Sequence, residues 1–257
     1  MSILKRFIDP AALVKHRLGG RPAPRWRTAL IAFRDHQGTM MLSRAFRGRP
    51  WRHRMLGGGS QIKSRFDVFE GRLGRERVGI VGYCGWGGPQ AAIVVEELAA
   101  IGVKRIIGYG ACGGLAPALP RGSVVAADRA LLTDGTSLAY TRGTCRADPA
   151  LLAIAVREAR TLGIPLGVET CATVDALYRE TPAAVRGWRR MGAGIINMET
   201  TPMYAAARAC GVQALWLGFV SDRLVGRTWD HWYRDSRGGP GLAARLCLAV
   251  AKALARR

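Results

Sequence analysis

The stretch VGIVGYCGWGGPQAAIVVEELAAIGVKRIIGYGACGG, residues 78–114, decides the fold. VGIVGY is a short apolar run of strand length, followed by a glycine turn at Gly85, Trp86, Gly87 and Gly88. Pro89 suits the first turn of a helix, where no N–H donor is needed, and AAIVVEELAAIG continues that helix. A second strand, RIIGYG, leads to a second glycine turn over residues 112–114, and SVVAA reads as the next strand. One helix between two apolar strands is the repeating unit of a parallel sheet.

Outward from that unit the alternation persists. Asp148 and Pro149 begin a helix that ends at Gly163, and a strand covers residues 166–173. Thr181 and Pro182 start a helix through Met191, and a further helix over residues 200–210 is stopped by Gly211. ALWLGFV has the continuous apolarity of a strand buried on both faces. Leu246, Val250 and Leu254 form one stripe of a closing helix that begins near Gly241. Upstream, TALIAF starts a strand at Thr28, and residues 47–63, rich in Gly and Arg, read as loop. Residues 1–27, with Pro10, Gly19, Gly20, Pro22 and Pro24, read as a mobile basic arm or a partner-docking segment. The expectation is an α/β fold of three α/β/α layers around a mixed, mostly parallel sheet, with residues 28–257 as a single domain. Ligands in such sheets sit beyond the carboxyl ends of the strands, where the glycine turns and Asp222 fall.

Composition narrows the function classes. The chain has 257 residues, 49% of them hydrophobic, enough for one substantial core. No apolar run reaches the length of a membrane span, and the N-terminus lacks the pattern of a signal peptide, so the cytoplasm is the default location and no membrane partner is expected. The six cysteines form no C-x-x-C pair and read as small buried thiols; no metal site is expected. The net charge of +21 is uneven, because residues 1–75 hold 17 Lys and Arg against 4 Asp and Glu. A basic surface attracts anions, but neither zinc-finger spacing nor an aromatic–basic ribbon accompanies the charge, so nucleic acid is not expected as the main partner.

Five segments in order carry a resemblance. They are GWGGPQAAIVVEEL (85–98), GACGGL (110–115), LTDGTSLAY (132–140), TVDALY (173–178), and INMET (196–200) with FVSD (219–222) beyond it. Together they resemble the nucleoside phosphorylase and nucleosidase family, over about residues 28–224. Trp86 in place of an aliphatic and Gln90 in place of a serine mark a divergent member. The resemblance implies a phosphorylase/hydrolase-like fold, cleavage of a sugar–base bond, no cofactor except phosphate as co-substrate in a phosphorylase, and a homo-oligomer, dimer or hexamer, with sites at its interfaces.

That chemistry needs a sugar clamp, an acid for the departing base and a nucleophile on the opposite face. By the resemblance, Met198 packs on the sugar and Glu199 binds its hydroxyls, with Asn197 where many relatives carry another acid. Asp222, preceded by Ser221, stands where the purine-specific branch places the donor to N7 of the base. Base contacts are expected from residues 170–173, Ala172 and Thr173 among them, with Ala172 where relatives often have an aromatic. Gly113 adds to the substrate pocket, and Gly85, Ala111, Cys112 and Arg34 line the anion or nucleophile pocket.

The nucleophile side departs from phosphorolytic relatives. The positions matching two phosphate-binding arginines fall near Gly38 and on Gly108, and that of a hydroxyl falls on Ala111. Phosphate depends on such charge-assisted donors. Arg34 offers compensation, as do Arg52 or Arg54 reaching across from a neighbouring subunit. GACGG also resembles the corresponding turn of hydrolytic nucleosidases, whose water-activating acid would here be Asp35, beside His36. The expected activity is therefore hydrolysis of a purine-type nucleoside. Two alternatives stay open: phosphorolysis with a rearranged anion site, and a catalytically weak protein that binds a nucleoside or another protein.

Overall fold

The computed structural model describes residues 7–33, 36–51, 68–85, 87–226, 229–231 and 238–256. In chain order the elements are α1 (Pro10–Leu18), β1 (Trp26–Phe33), α2 (His36–Ala45), β2 (Arg49–Pro50), β3 (Val68–Leu73), β4 (Glu76–Cys84), α3 (Gly88–Ala100) and β5 (Arg105–Gly114). They continue with β6 (Val124–Ala130), β7 (Cys145–Arg146), α4 (Pro149–Thr161), β8 (Leu166–Thr173), α5 (Pro182–Arg190), β9 (Ala193–Asn197), α6 (Thr200–Ala209), β10 (Gln213–Arg223) and α7 (Gly239–Ala255).

The β4–α3–β5 unit forms as its sequence dictates. Gly87 takes φ 98°, a backbone conformation open to glycine, and Pro89 occupies the first helical turn. β1 inserts between the two strands and runs parallel to both, pairing Leu30 with Ile80 and with Ile107. The outer edge is antiparallel: β3 pairs β4, and β2 pairs β3. On its other edge β5 runs parallel to β10 over its whole length, from Arg105 to Gly114.

From there the sheet curls. β10 pairs β6 antiparallel, β6 pairs β8 in parallel, β8 pairs β9 in parallel, and β9 returns to β5 through Ile196 and Ile195 opposite Gly113 and Gly114. Five strands thus close on themselves, while β1, β4, β3 and β2 extend as an open wing. α1, α3 and α6 cover one side, and α2, α4 and α7 the other. Trp26, Trp216, Tyr109 and Tyr204 are the largest fully buried side chains. Among the described residues no helix is long and apolar enough to cross a membrane.

Four local expectations change. The segment read as a mobile arm contains α1, whose N-terminal N–H groups of Ala11 and Ala12 are capped by Asp9 and whose Val14 and Leu18 are buried. Arg17 pairs with the buried Glu97 of α3, so apolar burial and one ion pair dock this helix. The glycines at 112–114 are the end of a strand, not a turn, because β10 and β9 both pair with them. β2 lies within the stretch read as loop, and the hairpin of β3 with β4 was not anticipated.

Candidate active site

The carboxyl ends of β4, β5, β8, β9 and β10 converge on two buried acids, Glu199 and Asp222. Glu199 stands at the head of α6, immediately after the β9 turn. Its Oε1 accepts from the backbone N–H of Gly87 at 3.1 Å, and its Oε2 from the N–H of Met198 at 3.2 Å. The glycine turn before α3 therefore holds the carboxylate from across the sheet, 112 residues away in sequence. Met198 is half-buried beside it.

Asn197 serves the turn itself. Its Oδ1 accepts from the N–H groups of Glu199 and Thr200, and its Nδ2 donates to the Thr200 hydroxyl at 2.6 Å. The side chain read as a substrate contact is thus a brace that satisfies donors at the start of α6. Thr173 is likewise a brace: its Oγ1 accepts from the N–H of Thr201 at 3.1 Å, and its backbone bonds both ways with the Thr133 hydroxyl. Ala172 is fully buried among Leu115, Leu131, Val174, Val185 and Ile196. Strand alternation turns it into this small apolar cluster, so it backs the site rather than lining it.

Asp222 owes its position to an irregularity. In the β10–β5 register Val220 faces Cys112 and Asp222 faces Gly113, leaving Ser221 as an extra residue. Such a bulge re-aims side chains, and here it brings the Ser221 hydroxyl onto Asp222 Oδ1 at 2.6 Å. Gly113 is required opposite: a Cβ there would stand 2.7 Å from Leu224 Cδ1 and 2.9 Å from Ile196 Cγ2. Asp222 Oδ2 accepts from the indole N–H of Trp229 at 2.7 Å.

On the nucleophile side, Ala111 is exposed, while Cys112 is buried with its thiol on the Phe219 carbonyl. Burial, above all, pushes the Cys112 thiol up, and the neighbouring Cys171 and Asp222 add to this. Cys112 therefore turns away from the pocket as an inert core thiol. A Cβ at Gly85 would lie 1.9 Å from Gln90 Oε1, so the glycine admits the Gln90 amide to the turn. A Cβ at Gly108 would meet Met203 Sδ at 2.8 Å and Trp216 Cδ1 at 2.9 Å, so that space is already filled. Gly38 is buried in the first turn of α2. Arg34, Asp35, Arg52 and Arg54 lie outside the described residues.

The sequence reading missed two residues. Glu180, half-buried between the β8 end and α5, has its carboxyl pushed up to about 7, first by burial and second by the charge of Asp222. Trp229 follows β10 in the stretch TWDHWY, where three aromatics within five residues (Trp229, Trp232 and Tyr233) were the available signal.

This arrangement can be set beside known proteins. The model of the phosphorylase superfamily matches residues 42–254. A DeoD-type purine nucleoside phosphorylase of Caldanaerobacter subterraneus is 34% identical over 161 residues, covering 61% of this chain and 69% of that protein. An uncharacterized protein of Acanthamoeba polyphaga mimivirus is 29% identical over 150 residues; the match spans 58% of this chain and only 59% of the viral one. Among solved structures, the 5′-methylthioadenosine/S-adenosyl homocysteine nucleosidase of Campylobacter jejuni shares the fold with a TM-score of 0.72 at 15% identity, over 88% of this chain and 99% of that one. Purine nucleoside phosphorylase from Toxoplasma gondii does so with 0.73 at 19% identity, over 90% and 92%. Sequence match, strand closure and the paired acids agree: the chain belongs to the phosphorylase superfamily.

Proposed function

We propose that this chain hydrolyses the N-glycosidic bond of a purine-type nucleoside. Breaking that bond places positive charge on the sugar and negative charge on the base. Glu199, its carboxylate pinned by two backbone N–H groups, is suited to hold the ribose hydroxyls and favour the sugar cation. Met198 beside it supplies the apolar contact. Asp222 is assigned as the proton donor to N7 of the base. Water attacks C1′ from the other face; its oxygen bonds carbon as the C1′–N bond breaks and the electron pair moves to the base. Its proton goes to Asp35, two residues beyond the end of β1 in sequence. Free ribose and free base leave. A small-molecule nucleoside is thus the assigned partner, and a homo-oligomer completing its sites at subunit interfaces is proposed with it.

The observation that supports water over phosphate is the state of Gly108 and Ala111. Relatives that use phosphate hold it there with an arginine and a hydroxyl. Here the space beside Gly108 is filled by Met203 and Trp216, and position 111 carries a methyl group. Each charge-assisted hydrogen bond lost is worth roughly 1.5–3 kcal/mol, so losing two or more forfeits orders of magnitude in phosphate affinity. The relatives by sequence include phosphorylases and those by structure include a nucleosidase, so the pocket must decide. A nucleoside panel assayed in phosphate-free buffer and again at millimolar phosphate tests the proposal. Equal rates of base release support it; a rate that saturates with phosphate overturns it.

A further inference from the structure

The Asp222 carboxylate is held by two donors of different origin. Ser221 is its bulged neighbour. Trp229 arrives from seven residues further on, and the chain fixes it there. Arg223 and Asp230 exchange backbone hydrogen bonds of 2.9 and 3.1 Å, a neck immediately beside Trp229. Arg121, on the turn before β6, clamps the neck: its Nε lies 3.3 Å from Asp230 Oδ1, and its Nη1 donates to the His231 carbonyl at 2.7 Å. The His231 ring meets the Trp229 ring edge-on at 5.7 Å. Gly113 lies against Oδ2, where a Cβ would stand 3.7 Å away, an ordinary contact.

An indole nitrogen donates one hydrogen bond, accepts none and carries no charge. It can therefore fix the plane of a carboxyl group without forming an ion pair with it. We infer that Trp229 is the positioning residue for Asp222, setting the carboxyl group for the departing base through its indole N–H. This rests on the assignment of Asp222 made above. Ser221 at Oδ1 and Trp229 at Oδ2 then take one acceptor position on each oxygen and leave the second for a ligand. The loop neck at Arg121 and Asp230 becomes part of the same device.

The test compares two leaving groups. A purine nucleoside needs its base protonated, whereas a nitrophenyl riboside releases a stable anion without an acid. Trp229→Phe keeps the ring and removes the donor. It is expected to lower kcat on the nucleoside by about 10–100-fold with KM changed less than about threefold, and to leave nitrophenyl riboside turnover unchanged. Trp229→His, which restores a ring N–H, is expected to recover part of the loss. Arg121→Ala loosens the neck with the indole intact and is expected to give a smaller loss of the same pattern, which keeps the test available if the Trp229 variants fail to fold. Slowing of both substrates alike, or of neither, overturns the inference. Asp222→Asn separates the two failures: if it leaves nucleoside cleavage untouched, the reading of Asp222 is wrong, and if only Asp222→Asn is slow, the role of Trp229 alone is wrong.

Discussion

Glu199 and Asp222 are both buried, yet the structure treats them differently. Backbone N–H groups fix Glu199, and side-chain donors fix Asp222. Glu199→Gln keeps the shape and removes the charge, so kcat should fall about 100-fold or more while KM moves little, because the charge matters most as the sugar becomes cationic. Steady-state kinetics checks this, and a variant altered only in KM contradicts it. Glu180 gives a pH prediction. Its carboxyl is raised to about 7 in the folded chain, so its ionisation costs stability as pH rises from the ordinary carboxylate range through about 7, and no further cost accrues above that. Glu180→Gln should therefore gain melting temperature relative to the parent across that window and hold the gain at higher pH; a difference independent of pH contradicts the assignment. Glu199 and Asp222 were legible because each sits in a recognisable motif. Glu180 and Trp229 were not, because their meaning comes from a fold that brings them to Asp222. Asn197 and Ala172 were misjudged for the converse reason. Their motif position suggested a ligand, while cap geometry and strand alternation gave one to the α6 turn and the other to a buried cluster.

At the scale of elements, the sequence was most readable where one signal governs one boundary. Asp148 caps α4, Thr181 caps α5, and Gly211 follows α6 with φ 67°, all as their residue types require. It was least readable where glycine has two meanings. Gly113 and Gly114 read as turn punctuation, yet they end β5, because β10 and β9 approach there more closely than side chains allow. Gly113→Ala should accordingly destabilise the fold by about 1–3 kcal/mol and disturb Leu224 and Ile196; chemical denaturation with an unchanged midpoint would show that the contact is slack. α1 makes a parallel case. Its segment suggested a mobile basic arm or a partner-docking segment, but Arg17 neutralises Glu97, which is almost fully buried. Arg17→Ala removes the cation paired with that carboxylate and should cost about 1–3 kcal/mol after allowance for the partial exposure of Arg17, and adding Glu97→Gln should recover part of it. Identical denaturation midpoints for parent and Arg17→Ala would return α1 to the status of an appended arm.

At the scale of the whole molecule, alternating strands and helices identified an α/β sheet but not its closure. The five-strand ring depends on two short antiparallel pairs between β9 and β5, which no local pattern encodes. That closure carries the site, because it brings the β9–α6 turn with Glu199 and the β10 bulge with Asp222 to the same end of β5. It also sets Trp216 and Met203 against Gly108, filling the space an anion-binding arginine would need. The claim that this filled wall commits the protein to water is tested most directly by following the oxygen. A purine nucleoside is turned over in heavy-oxygen water with millimolar phosphate present, and the sugar product is examined by mass spectrometry. The account predicts free ribose carrying the heavy atom at C1′, in an amount equal to the base released. Ribose 1-phosphate, with no label taken from water, would contradict it.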